Sequence, residues 1–310
     1  MQSRKDAYID LYVSAGEERE GLSVRGRALE GKRPHLGKTG DRKRQRLVTT
    51  WRLFETDELS SVDVEVQLEL PSGLRTQHVQ TDDEGFFKAR FEPPLPVGKF
   101  LARARLTEPV VATDVVSSDA LVHSAEAGLG VVSDMDDTVL ETGVSKKFEL
   151  IRKVLLATPE DLQTFEGAPE LFQSFAAKGH PIMFVSGSPA NLEPRLRAFL
   201  ELRGFPTAPM LLKDLGIGPE ADSVLDHQPY KLRRIREVFD QFPRRRFLLI
   251  GDSGEHDPEI YRKVQTDHPD RVAGVFIHRV GKEKADDERF KGQRLFESYS
   301  ELLAPGALPT

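Results

Sequence analysis

Two carboxylates, Asp134 and Asp136, stand two residues apart where the apolar run Leu129–Val132 ends, inside the segment Gly130–Glu141. In extended chain that spacing points both side chains to the same side. Such a pair can hold a hard cation through oxygen ligands, and an aspartate can attack phosphorus to form an aspartyl-phosphate. A second acidic segment, Gly251 to Pro258, follows the apolar run Phe247–Ile250. Asp252 sits where a strand-end carboxylate completes a metal site. Asp257, just before Pro258, is expected to cap the next helix and to face the cation through a water. Ser186-Gly187-Ser188-Pro189 follows Ile182–Val185. Pro189 suits the first position of a helix, and a helix start is an anion site to which Ser186 can add a hydroxyl. Either serine can equally serve as a helix cap. Lys231 is expected to open a helix, where its charge opposes the dipole and a bound anion would explain it. His227 and His256 read as solvated loop histidines. The set supplies a nucleophile, an acid/base, phosphate neutralisation and a divalent-cation site.

The elements that must position these residues follow from the hydrophobic pattern. From residue 123 to 310, short apolar runs (Leu129–Ser133, Pro181–Ser186, Pro209–Lys213, Arg246–Gly251, Val272–His278) alternate with helix-like stretches (Ala168–Lys178, Leu192–Arg203, Lys231–Phe242, Pro258–Val264). Continuous apolar strands between helices predict an α/β domain, a doubly wound parallel sheet of about five strands covered on both faces. Each strand then delivers its loop to one rim. Glu288–Leu303 reads as a further amphipathic helix. Residues 1–122 read as strands. In Ser61–Leu70, Val62, Val64, Val66, Leu68 and Leu70 alternate with Asp63, Glu65, Gln67 and Glu69, which predicts apolar residues inward and acids outward. Several short strands with regular turns predict a smaller all-β sandwich domain.

Composition narrows the function. The chain has 310 residues, 38% of them hydrophobic, and a net charge of −6, which gives no support for nucleic-acid binding. It has no cysteine, so disulfides, thiolate zinc sites and cysteine nucleophiles are excluded. No run approaches the ~18 apolar residues of a transmembrane helix, and Met1–Ser14 lacks a signal-peptide apolar region. A cytoplasmic protein is expected, with access to a membrane surface. Gly31–Arg46 carries seven basic residues against one acid, Asp41. That basic loop is either a solvated connection or a peripheral contact for anionic lipid. Glu141–Glu166 is short, and its Phe148, Leu150, Ile151, Val154, Leu155 and Leu156 are expected to pack as a helix. So small a lid suits a bulky or membrane-held substrate.

The motifs carry a resemblance. D-x-D-x-T at Asp134–Thr138, a strand-ending Ser186, Lys231 and the acidic loop with Asp252 and Asp257 resemble the haloacid dehalogenase (HAD-like) superfamily, which is mostly phosphatases. The longer strings V-S-D-M-D-D-T-V, S-G-S-P-A-N-L-E-P-R-L-R-A-F-L and F-L-L-I-G-D-S-G-E-H-D-P-E-I-Y are similar to the catalytic-domain family of the fungal actin-patch phosphatidate phosphatase and its bacterial relatives. Ala190 and Glu193 stand where that family often has aromatics, and Tyr230 where a histidine is expected. The resemblance implies that Asp134 is the nucleophile and Asp136 the acid, then base. It implies Mg2+ held by Asp134, Asp252 and the Asp136 backbone carbonyl. It implies phosphate binding by Ser186, the backbone N–H of Gly187, and Lys231. The activity implied is magnesium-dependent phosphomonoester hydrolysis, with phosphatidate the favoured substrate. A soluble phosphoester or phosphoprotein is the alternative within that class. A non-catalytic membrane- or partner-binding protein is the alternative outside it.

Overall fold

Strand β9 (Gly128–Ser133) is the axis of the α/β half, buried along its length after its first residue. Around it lie β12 (Ile182–Pro189), β13 (Met210–Lys213), β14 (Arg245–Asp252), β15 (Val272–His278) and β16 (Arg294–Phe296). All six are parallel, in the order β13-β12-β9-β14-β15-β16. Numbered along the sheet's own sequence, that order is 3-2-1-4-5-6, and the order in which strands are added reverses between β9 and β14. Ligands of open α/β sheets bind outside the strand carboxyl ends at such a switch point. A short ribbon, β10 (Leu140–Glu141) with β11 (Gln163–Thr164), follows β9.

The computed structural model describes residues 6–34, 36, 58–107, 115–141, 157–213, 227–281, 283–284 and 287–309. Most of the basic segment 31–46, the stretch carrying Phe148 to Leu156, and the side chain of His227 lie outside them. The described residues form two compact units, one ending at Ala125 and one beginning at Glu126.

The helices between the strands are α1 (Ala168–Ala177), α2 (Glu193–Leu202), α3 (His227–Gln241) and α4 (Asp257–Asp267). Their apolar stripes join the strands in a core that includes Val131, Phe172, Phe184, Leu196, Phe199 and Leu248. Burial of both sheet faces explains why the strands are continuous apolar runs rather than alternating ones. Two helix starts differ from the sequence reading. β12 continues through Pro189, a 3-10 turn (Ala190–Leu192) follows, and α2 begins at Glu193 with Pro194 in its first turn. α3 begins at His227, so Lys231 lies one turn inside it. Pro229 does not stop that helix, because an N–H missing from the first turn has no intrahelical partner to lose.

The predicted helix over Glu288–Leu303 is not one element. It divides into a 3-10 turn (Glu288–Phe290), β16, and a short helix α5 (Tyr299–Leu303). Gly292, at φ 77°, turns the chain in a region that side chains disfavour, and Ser298 caps α5 in a capping box. Phe290, Phe296, Tyr299 and Leu302 are nevertheless buried.

The other unit is all β. Its strands are β1 (Ala7–Leu11), β2 (Ser14–Glu17), β3 (Gly21–Glu30), β4 (Asp63–Leu70), β5 (Gly73–Gln80), β6 (Phe86–Phe91), β7 (Gly98–Leu106) and β8 (Val116–His123). Hydrogen bonds join them into one sheet, β1-β3-β2-β8-β7-β4-β5, with β6 on β3. One apolar core takes Ile9, Val24, Val66, Phe87, Ala104 and Ala120 from six of these strands. The alternation of β4 puts its valines and leucines inside, as its period requires. Glu65 departs from the pattern and is also buried. It faces Arg105 across the β4–β7 pair and accepts two guanidinium hydrogen bonds, each of 2.9 Å. That fork lowers its carboxyl pKa.

Candidate active site

Parallel register brings the strand ends together. Ser133 pairs with Phe184 on one side and Ile250 on the other. The residues just beyond, Asp134, Ser186 and Asp252, therefore share one rim. Asp134 is anchored by its own N–H, which donates to Ile250 O at 2.9 Å. The loop after it turns through Asp137 at φ 53°, a conformation that aspartate tolerates better than most residues.

Lys231 Nζ lies 2.7 Å from Asp134 Oδ1 and 2.5 Å from Asp257 Oδ1, with all three side chains at most 3% exposed. Asp257 is not the helix cap its position before Pro258 suggests. His256 holds the cap position and Asp257 is the first helical residue. Its carboxylate turns inward to Lys231, and its Oδ2 accepts from Asp252 N at 3.4 Å. Asp252 Oδ1 accepts from the backbone N–H groups of Gly254 (2.6 Å) and Glu255 (2.9 Å). Asp134, Asp252 and Asp257 each offer one oxygen within 4.8 Å of the others. Asp134 Oδ2 and Asp252 Oδ2 are buried without a hydrogen-bond partner. Buried polar atoms are seldom left so.

The charge balance explains the strain on these groups. Burial lifts the Asp134 carboxyl well above the usual range, against the pull of Lys231. Burial also lifts Asp252, with the Asp257 charge adding to it, and lifts Asp257 itself against Lys231. For Lys231, burial favours the neutral amine, but Asp134 and Asp257 outweigh it and hold the ammonium well above its ordinary value. Three carboxylates therefore face one ammonium. A divalent cation would balance the set and occupy the two unpartnered oxygens. Oxygen-only donors at this spacing fit a hard cation.

Asp136 stands apart from that cluster. Ser186 Oγ donates to its Oδ2 at 3.0 Å, and Ser188 Oγ lies 3.4 Å from the same oxygen. Ser186 Oγ in turn accepts from Ser188 N at 3.0 Å. Ser186 is thus a partner of Asp136 and caps no helix. Burial pushes Asp136 up to about 6, the nearby Glu255 adding to this and the Ser186 hydrogen bond opposing it. That value suits proton transfer near neutral pH. His256 is exposed.

Three contributors were not read from the sequence. Ser188 joins Ser186 on Asp136. Tyr261 of α4 is buried beneath the site and donates to Ile250 O at 3.0 Å. Gly251 lets α4 approach β14: a Cβ there would lie 2.3 Å from Asp257 Oδ2 and 2.7 Å from the Tyr261 ring. The signal for Gly251 was a glycine closing an apolar strand just before an acid, which marks close backbone approach.

Residues 129–279 match the family model described as the phosphatidate phosphatase APP1 catalytic domain. The resemblance read from the motifs holds over those residues. Phosphatidate phosphatase APP1 of Saccharomyces cerevisiae is 27% identical over 163 residues, covering 51% of this chain and 27% of the yeast protein. An uncharacterised protein of Schizosaccharomyces pombe is 29% identical over 153 residues, 49% of this chain and 25% of that protein. The match thus spans about a quarter of each curated relative. Among solved structures, D,D-heptose 1,7-bisphosphate phosphatase from B. bronchiseptica, complexed with magnesium and phosphate, is similar at a TM-score of 0.36 and 13% identity, over 57% of this chain and 98% of that one.

Proposed function

We propose, from a segment that matches the phosphatidate phosphatase APP1 catalytic-domain family, that this chain is a magnesium-dependent phosphatase of the haloacid dehalogenase type with phosphatidate as its substrate. The observation that carries the reading is the buried constellation at the β9–β14 switch point. It comprises Asp134 on Lys231, two further carboxylates with unpartnered oxygen beside them, and Asp136 set apart on Ser186.

Each residue then has a task. The Asp134 carboxylate attacks phosphorus, and the P–O bond to the alcohol breaks as the aspartyl-phosphate forms. Asp136 gives its proton to the leaving oxygen, and the product alcohol departs neutral. Asp136, now ionised, takes a proton from a water that attacks the same phosphorus. The aspartyl–phosphorus bond breaks, and Asp134 and inorganic phosphate are released. Lys231 orients Asp134 and neutralises phosphoryl charge together with Ser186 and the Gly187 N–H. Asp134, Asp252 and Asp257 would hold Mg2+, which supplies positive charge against the phosphoryl oxygens.

The all-β unit is read as a sandwich-type accessory domain, its single core being the support for that reading. Among the described residues no helix is long and apolar enough to cross a membrane. A cytoplasmic enzyme that meets its lipid peripherally, through the basic segment 31–46, is the corresponding cellular reading.

The test is phosphate release with Mg2+ from phosphatidate in mixed micelles and from a panel of soluble phosphoesters, with Asp134→Asn as blank. Preference for the lipid supports the whole proposal. Preference for a soluble ester keeps the mechanism and removes the lipid. No release from any substrate, with Mg2+ bound, returns the chain to the binding-protein alternative.

A further inference from the structure

The run Arg244-Arg245-Arg246 plays no part in the candidate active site. It lies where β14 begins, at the sheet edge opposite the strand carboxyl ends. Six residues of β-strand separate Gly128 from Asp134, roughly 20 Å. At that far edge is a cavity of about 630 Å³, lined wholly by the α/β unit. Its size is that of a small-molecule site.

The lining has two parts. Lys178, Arg244 and Arg246 supply positive charge, and Leu303, Leu308 and Pro309 supply apolar surface. Among the described residues no acidic side chain lines it, in a chain where acids outnumber bases by 50 to 44. Alternation along the start of β14 explains the split of the run. Arg245 turns the other way, is buried, and donates to Leu129 O at 2.9 Å, whereas Arg244 and Arg246 are exposed. His180, also in the lining, is held toward its neutral form by burial and by the charges of Arg245 and Lys178. The positive charge of the pocket therefore rests on three side chains at its rim. Charge of one sign above an apolar lining selects a molecule with an anionic head and an apolar body.

We infer that this cavity binds a single-chain anionic amphiphile, a long-chain carboxylate, with its head on Lys178, Arg244 and Arg246 and its alkyl body against Leu303, Leu308 and Pro309. The site is separate from the phosphatase centre and does not depend on its assignment.

The probe is dodecanoate, titrated by calorimetry below its micelle concentration into the full chain. Dodecyltrimethylammonium keeps the tail and reverses the head; acetate keeps the head and lacks the tail. Dodecanoate is expected to saturate at one equivalent, with neither control binding. The double variant Lys178→Glu/Arg246→Glu is expected to weaken it about tenfold or more, since two attractive rim charges become repulsive. Neither residue belongs to the candidate active site, and the circular-dichroism spectrum and thermal midpoint of the variant report its folding. In the unaltered chain, hydrogen exchange is expected to slow over residues 302–309 and at the end of α1. Equal binding of the cationic control, undiminished affinity in the folded variant, or displacement by inorganic phosphate would overturn the inference. So would bound dodecanoate with unchanged exchange at 302–309, which decides the matter even if the variant does not fold.

Discussion

Lys231 Nζ sits 2.7 Å from Asp134 Oδ1, and both side chains are at most 3% exposed. The pair spans two elements, the end of β9 and the second turn of α3. It therefore ties a strand-end carboxylate to a helix nearly a hundred residues away. Removing one partner leaves the other buried and uncompensated. Lys231→Met is expected to lower stability by about 3–5 kcal/mol in the absence of metal, read by urea unfolding. Unchanged stability would mean that the pair is hydrated in solution.

Gly251 sets how closely α4 can approach the sheet. Gly251→Ala places a methyl against Asp257 and Tyr261, and overpacking of that kind costs about 1–3 kcal/mol. Because Asp257 must shift, magnesium dependence should change too. The expected outcome is a raised Mg2+ requirement together with a lower thermal midpoint. A midpoint change with an unaltered Mg2+ titration would separate Gly251 from the cation site.

Stability without metal should depend on pH in a defined direction. Asp136 is pushed up to about 6 by burial, and Asp134, Asp252 and Asp257 are shifted upward too. A raised carboxyl binds protons more readily folded than unfolded. Its contribution is complete below the unfolded pKa and is lost as pH rises through the folded one. For Asp136 alone the loss is about 3 kcal/mol across that window. In chelator, the thermal midpoint should therefore fall as pH rises from about 4 to about 7, and Asp136→Asn should flatten the slope. At the higher pH, Mg2+ at 100 times its dissociation constant should restore about 2.7 kcal/mol. A midpoint indifferent to pH in that range would contradict the buried acid cluster.

Ser186 donates to Asp136, which favours the ionised carboxylate. Ser186→Ala removes that bond and should move the Asp136 pKa upward, extending the pH range in which it is a competent acid. The turnover number should fall by about 10²-fold, as for loss of one donor to a reacting phosphoryl group. The pH–rate profile distinguishes the two effects, because a purely structural role would lower the rate without moving the limb.

The sequence by itself marked the residues proposed to carry the chemistry. Asp134, Ser186 and Asp252 each stand at the end of an apolar run, with Asp136 two residues beyond Asp134, and local patterning dictates that such runs become strands with polar loops at their ends. Their parallel arrangement follows from the helices between them. What each side chain does with its partner was decided only in three dimensions. Ser186 could cap a helix or bond a carboxylate; it bonds Asp136, 50 residues away, because β12 lies beside β9. Asp257 reads locally as a cap, but the closeness of α3 gives it Lys231 instead. Glu65 reads as a solvent residue, but Arg105 lies opposite it on β7. Glu288–Leu303 has a helix-like pattern, yet an open edge of β15 takes part of it as β16. Strand order, register and burial set these outcomes, and none of the three is a property of neighbouring residues in the chain.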